Sequence, residues 1–546
     1  MLLKLFAPLS PFGLILGAAA FVAALTPSMI PRPGVLQGVE CGLAFAILYI
    51  SGAGATTLWS WLRLPVAIAG YRRAFGRISI LLCLALVLYG LARETDWQNA
   101  IRRAMDMPPV TASLPVLVAI VSAPIALFLI GLARLFKSLA MLISARLAKL
   151  FPRRIALLGG FCIAAALFWL IGSGLLLRTV LHGLDSSYRR IDALLPAELS
   201  PPEDSSKSGS GKSLVSWDSL GAKGRERVVA VPTKGDISSL TAGPAMEPLR
   251  VYVGLNSAET ADQRAALALA ELMRVGAFDR SVLVIATPTG TGWVDPAGLA
   301  PLEILHRGDV ASVSVQYSYL PSWLSLLVEP DYGADTARAV FHAVYDYWRS
   351  LPKERRPRLY LFGLSLGARN SDLSADFFDI VADPYQGALW TGPPWDSVTW
   401  RKVTETRAPG SPVWLPRFRD ESLFRFTTQR NELTQTKTSW GPIRIVYLQY
   451  PSDPIVFFEM TSLWRRPAWM KQPRAPDVSS EIRWMPVVTF VQQVCDMVTA
   501  TTTRRGVGHV YAAAHYLDGW IAVTEPQGWN DEGLARLREW LSAHDL

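Results

Sequence analysis

Cysteine and histidine are scarce in this chain of 546 residues, with four of the first and six of the second. Cys41, Cys83 and Cys162 lie in apolar runs, which leaves Cys495 alone in the mixed-composition half and excludes a disulfide within that half. A domain of this size folds without such staples, so the cysteines do not decide the redox compartment. No metal-ligand spacing is visible, and none of the zinc-finger or RNA-binding patterns occurs. No cofactor is expected. Internal repeats are lacking too. The formal charge is +9, from 54 basic and 45 acidic residues. Because the basic residues gather beside the apolar runs, they read as membrane-flanking arginines rather than a nucleic-acid surface.

What the chain does have is two unlike halves. Residues 1–180 are dominated by long apolar segments, at about 12–30, 38–58, 77–93, 112–134 and 155–177. Each is near the roughly 20 helical residues that cross a bilayer core. We therefore expect a multi-span membrane domain of about five helices, with a kink at Pro124. The first segment is not read as a cleavable leader, since further spans follow and Thr26-Pro-Ser-Met-Ile-Pro-Arg32 lacks a small-x-small cleavage site. Arg63, Arg72, Arg73 and Arg77 precede the third span, and Lys137, Arg146, Lys149, Arg153 and Arg154 precede the fifth. The positive-inside rule puts both loops in the cytoplasm. Five crossings then bring the second half outside the cytoplasmic membrane. Glu40 is expected at the edge of its span, in the interface.

Residues 181–225 are expected as a linker, rich in Pro, Ser, Gly and charge around Pro201–Ser213. Its Gly211-Lys212-Ser213 superficially resembles a phosphate-binding loop, but Ser206 stands where the earlier glycine should be and no strand precedes it. From 226 to 546, short β-rich runs alternate with helical patterns, which predicts an α/β domain with a mostly parallel sheet and helical insertions. Strands are expected at 228–231, 249–254, 281–286, 311–317, 358–362 and 443–449, with helices at 259–275 and 333–350.

Gly363-Leu364-Ser365-Leu366-Gly367 follows one of these strands and precedes small residues able to open a helix. This is the strand–turn–helix context of a nucleophile elbow, in which glycines relieve backbone crowding on either side of an exposed serine hydroxyl. Asp453 follows the strand 443–449 and precedes Pro454; His509 lies in the glycine-containing loop Gly508-His-Val-Tyr511. The chain order Ser365, Asp453, His509 suits nucleophilic catalysis, with the imidazole as base and the carboxylate as its orienting partner. Asp383 and Asp396 are weaker rivals for the acid, and His515 and His544 for the base. The loop Thr287-Pro-Thr-Gly-Thr-Gly-Trp293 reads as an oxyanion loop, with Leu366 supplying one N–H donor and Gly290, Thr291 or Gly292 the other. Two insertions, 395–440 and 456–505, carry many Trp and Phe residues, which suit core, an acyl pocket or a lipid-contacting cap.

Several longer motifs make the chain resemble the bacterial membrane-anchored α/β-hydrolases that have an N-terminal multi-span domain. They are Thr26–Arg32, Arg250-Val-Tyr-Val-Gly-Leu255, Thr289-Gly-Thr-Gly-Trp293, Gln316-Tyr-Ser-Tyr-Leu-Pro-Ser-Trp323, the elbow, and Gln449-Tyr-Pro-Ser-Asp-Pro-Ile-Val456. The resemblance implies a serine-hydrolase fold outside the cytoplasm and names no substrate. Together the readings point to an esterase or lipase working through an acyl-enzyme on lipid-like esters, with membrane lipids as surroundings and no nucleic acid. An acyltransferase using the same triad, or a non-enzymatic scaffold retaining the fold, are the alternatives.

Overall fold

The computed structural model describes residues 9–65, 69–110, 115–172, 192, 199–321, 324–325 and 331–546. The end of the fifth expected span, most of the first part of the expected linker, and Trp323 lie outside these residues. The chain divides into two compact units, one of residues 1–183 with 458–499 and one of 184–457 with 500–546.

Five apolar helices begin the first unit: α1 Pro11–Leu25, α2 Gly34–Trp61, α3 Ala69–Ala104, α4 Pro115–Leu147 and α5 Arg153–Trp169. Among the described residues, four helices are long and apolar enough to cross a membrane: Gly34–Trp61, Ala74–Ala104, Pro115–Leu147 and Arg153–Gly172. The first expected span falls short. α1 has 15 residues, or about 22 Å at 1.5 Å per residue, and Pro27, Pro31 and Pro33 follow its end. Large side chains such as Leu81, Phe128, Leu158 and Trp169 face outward along these helices, as a lipid-facing surface requires. Inside, small residues allow close helix approach: an added Cβ at Gly38 or Gly42 would stand 2.7 or 2.8 Å from atoms of α4.

Glu40, expected at the edge of its span, does not face outward from the helices. It is fully buried and ion-paired with the buried Arg32. Arg32 also lies 3.7 Å from Asp496 in the helix Val488–Val498, whose carboxylate accepts the Ser28 hydroxyl at 2.8 Å and the Met29 N–H at 3.0 Å. The Thr26–Arg32 motif thus forms a polar socket, and the aromatic insertion supplies the carboxylate that fills it. Desolvated charges of this kind persist only when paired.

The second unit carries a seven-stranded sheet, every neighbouring pair parallel. Its strands are β1 Leu249–Val253, β2 Val282–Thr287, β3 Val310–Val315, β4 Arg358–Leu364, β5 Gly387–Thr391, β6 Phe424–Thr427 and β7 Arg444–Leu448, in the spatial order β1-β3-β2-β4-β5-β7-β6. They are buried almost throughout, the pattern of a sheet covered on both faces. β4 is central, so its carboxyl end is where a ligand site is expected in such a sheet.

Two sequence expectations fail for physical reasons. Val228–Val231 forms no strand; it ends the helix Gly221–Val228. That helix carries Arg227 to Glu303, which Arg250 also grips, at 2.9 and 2.7 Å. Pro232, lacking an N–H, could not extend a ladder. Nor does the described part of the linker hang free. The Ser208 and Ser213 hydroxyls and the Leu214 N–H all donate to Glu271, at 3.2, 2.7 and 3.0 Å, and so lay the segment along the helix Ala261–Arg274. β5 and β6 were not anticipated. β6 comes from the first aromatic insertion, and Phe426 stacks on Tyr447 of β7 at 5.0 Å between ring centres.

Candidate active site

The elbow begins with a steric demand. A Cβ on Gly363 would fall 2.3 Å from the Gly367 carbonyl carbon, and one on Gly367 would fall 2.3 Å from the Thr287 oxygen at the end of β2. Only glycines allow the strand, the turn and the helix Leu366–Asp372 to close this tightly. Ser365 sits between them at φ 55 and ψ −126, a region that costs a non-glycine residue about 1–3 kcal/mol and is found where function demands it. Its N–H donates to Thr391 O, the last residue of β5, at 2.9 Å. Leu366 opens the helix, so its N–H has no acceptor within that helix.

Asp453 follows β7 in a turn closed by its own N–H donating to Tyr450 O at 3.0 Å. It is wholly buried. Its Oδ1 accepts the Ile455 N–H at 2.9 Å, and its Oδ2 is 2.6 Å from His509 Nδ1. The histidine loop is held by the Gly508 N–H donating to Ser452 Oγ at 3.0 Å and the His509 N–H donating to Ala500 O at 2.9 Å. Gly508 has φ 62, and a Cβ there would strike Thr503 Oγ1 at 2.6 Å.

Gly392 links this pair to Ser365. It directly follows Thr391, has φ 52, and a Cβ on it would stand 2.9 Å from His509 Cε1. Ser365 and His509 therefore both abut the carboxyl end of β5. The rivals are engaged elsewhere: Asp383 pairs with Arg356, Asp396 with Arg369, and His515 Nδ1 bonds the Tyr450 hydroxyl. Burial lowers His515 to about 4, with Arg538 adding to the effect, so it is neutral near pH 7. His544 stacks on Trp540.

The loop after β2 is braced from behind. Tyr252 donates its hydroxyl to Gly292 O at 2.7 Å, and Gln316 Nε2 donates to Thr291 O at 3.2 Å. Inside the loop, the Gly292 N–H donates to Thr289 O at 2.9 Å. That bond holds Gly292 within its own loop. Its glycine is needed for another reason: φ is 82, and a Cβ would meet the Tyr252 hydroxyl at 2.5 Å.

Sequence reasoning missed three polar residues here. Tyr511 donates to Asp453 Oδ2, Tyr516 donates to Asp295 Oδ2 at 2.9 Å, and Asp295 caps the helix Pro296–Leu305. The Asp295-Pro296 pair does signal a helix start, but nothing local signals its tyrosine partner. Burial raises Asp295 to about 6. Burial and the neighbouring carboxylates hold Tyr511 and Tyr516 well above the usual phenol range, so both remain donors. Among the described residues, no three His, Cys, Asp or Glu side chains gather as a metal site would need.

A family model described as "Alpha/beta-hydrolase family" matches residues 249–537, and one described as "Alpha/beta-hydrolase family N-terminus" matches residues 25–232. No curated protein and no solved structure matches the chain.

Proposed function

Because this chain belongs to the alpha/beta-hydrolase family, we propose that it is a membrane-anchored serine hydrolase in which Ser365, His509 and Asp453 form the triad. The observation that carries this reading is the 2.6 Å contact between buried Asp453 and His509 Nδ1, beside a serine in strained elbow geometry. Asp453 selects the imidazole tautomer whose Nε2 accepts the Ser365 proton, and it stabilises the cation that results. Ser365 Oγ attacks an ester carbonyl. The developing oxyanion meets the Leu366 N–H and an amide of the Gly290-Thr291-Gly292 loop. The imidazolium returns its proton to the departing alcohol, leaving an acyl-enzyme that water hydrolyses. Lipid-like esters are the substrate class that a membrane-embedded partner unit favours.

The same reading puts the protein in the cytoplasmic membrane with the catalytic unit outside the cytoplasm. The basic stretch before α5 argues for this whether or not α1 crosses, since only one span separates that stretch from the second unit.

The test is labelling of the full-length protein in membranes by a fluorophosphonate probe, beside Ser365→Ala and His509→Ala. Labelling of the parent that both variants lose supports the triad. A folded parent that stays unlabelled, with the probe's access verified, points instead to a scaffold. An alcohol acceptor that outcompetes water in trapping the acyl group would make the enzyme an acyltransferase.

A further inference from the structure

Asp295 is a buried carboxylate that the proposed mechanism leaves unused. It stands where the loop 288–294 leaves the site. Its Oδ1 accepts the Ala297 N–H at 3.0 Å and its Oδ2 the Tyr516 hydroxyl at 2.9 Å. Tyr516 belongs to the helix Ala513–Thr524, which follows directly on the His509 loop. Its ring centre lies 6.2 Å from that of Tyr511 and 5.9 Å from that of Phe362 in β4. The charged and titratable groups facing Asp295 are Arg505 and His509, from the histidine loop, and Tyr516.

We propose that Asp295 is a positioning residue of the site: through Tyr516 its carboxylate ties the loop 288–294 to the helix behind His509. The oxyanion donors and the imidazole thereby keep one mutual geometry. The proposal rests on the triad reading above. The tie is strongest with the ionised acid, because both oxygens then serve as charged acceptors. Bonds to an ionised carboxylate are roughly twice as strong as neutral ones, so a proton on the acid weakens the tie. Burial sets this protonation at about 6, so the tie is at full strength above that pH and weakens as pH falls through it.

The measurement is the second-order rate of fluorophosphonate labelling of Ser365 in the full-length protein, for the parent, Asp295→Asn and Tyr516→Phe, from about pH 8 to about pH 5. Asparagine offers only neutral bonds at every pH, so Asp295→Asn is expected to label about tenfold more slowly at the alkaline end. The ratio of parent to variant should close as pH falls through about 6. A merely structural role would leave that ratio independent of pH. A flat ratio, or a variant labelled at the parental rate, overturns the proposal while the triad stands. If Asp295→Asn does not fold, Tyr516→Phe decides: a parental rate at the alkaline end overturns it. A folded, accessible parent with no labelling at Ser365 overturns the triad reading and this proposal together.

Discussion

Tyr511 donates its hydroxyl at 2.7 Å to Asp453 Oδ2, the same oxygen that faces His509 Nδ1. That carboxylate is therefore fixed by three donors, the third being the Ile455 N–H on Oδ1. Hydrogen bonds to buried charges are worth about 1.5–3 kcal/mol. Tyr511→Phe should accordingly slow acylation about 10- to 100-fold, read as kcat/KM on a chromogenic ester. Asp453→Asn should do more, about 10⁴-fold, because the wrong imidazole tautomer is then favoured.

Gly392 offers a steric probe of the histidine. Gly392→Ala puts a methyl group 2.9 Å from His509 Cε1 and equally close to Tyr511 Cε2, at a φ of 52. The left-handed conformation alone costs about 1–2 kcal/mol. Displacing the imidazole should cut labelling of Ser365 at least about tenfold. Gly211→Ala, which meets nothing within 4 Å, should label like the parent. Equal labelling of both variants would show that Gly392 does not set the histidine's position.

Glu303 holds two arginines in the second unit, and it should dominate stability there. Burial pushes its carboxyl up, but Arg250 and Arg227 outweigh burial and leave it below its ordinary value. A depressed acid contributes stability above its unfolded value, and that contribution is lost as pH falls through the folded value. Its share should thus persist down to about pH 4 and fade below. Glu303→Gln strands buried charge and should cost about 3–5 kcal/mol in thermal or denaturant unfolding at neutral pH.

In the first unit, Asp496→Ala empties the Ser28, Met29 and Arg32 socket. Losing a buried charged acceptor should cost about 3 kcal/mol. Thermal unfolding in detergent, followed by tryptophan fluorescence, would register it. Faster proteolysis within 458–499 should accompany the loss, because the helix Val488–Val498 is seated there. An unchanged midpoint would mean that Glu40 alone satisfies Arg32.

How much was legible in the sequence differs by feature, and for physical reasons. The elbow could be read because its constraint is local: two glycines four apart and a strand before them. Asp453 and His509 stood out by chain order, and they lie 2.6 Å apart. The strand expected at Val228–Val231 was misjudged because a buried Arg227 needed Glu303, 76 residues away. The serine-rich segment reads as a linker by composition, yet Glu271 gathers its hydroxyls. The first apolar segment was long enough in composition, but the prolines after Leu25 stop its helix short.

The sequence by itself determined the apolar runs, the parallel α/β pattern, the strained serine turn and the membership in an alpha/beta-hydrolase family. Each is written in spacing or in residues that meet within one turn. Only the tertiary structure decided which polar groups share a desolvated space: Tyr511 with Asp453, Tyr516 with Asp295, Arg32 with Glu40 and Asp496. Such partners are chosen by the cost of leaving a buried charge or donor unmatched. That cost acts through space and leaves no periodic trace along the chain.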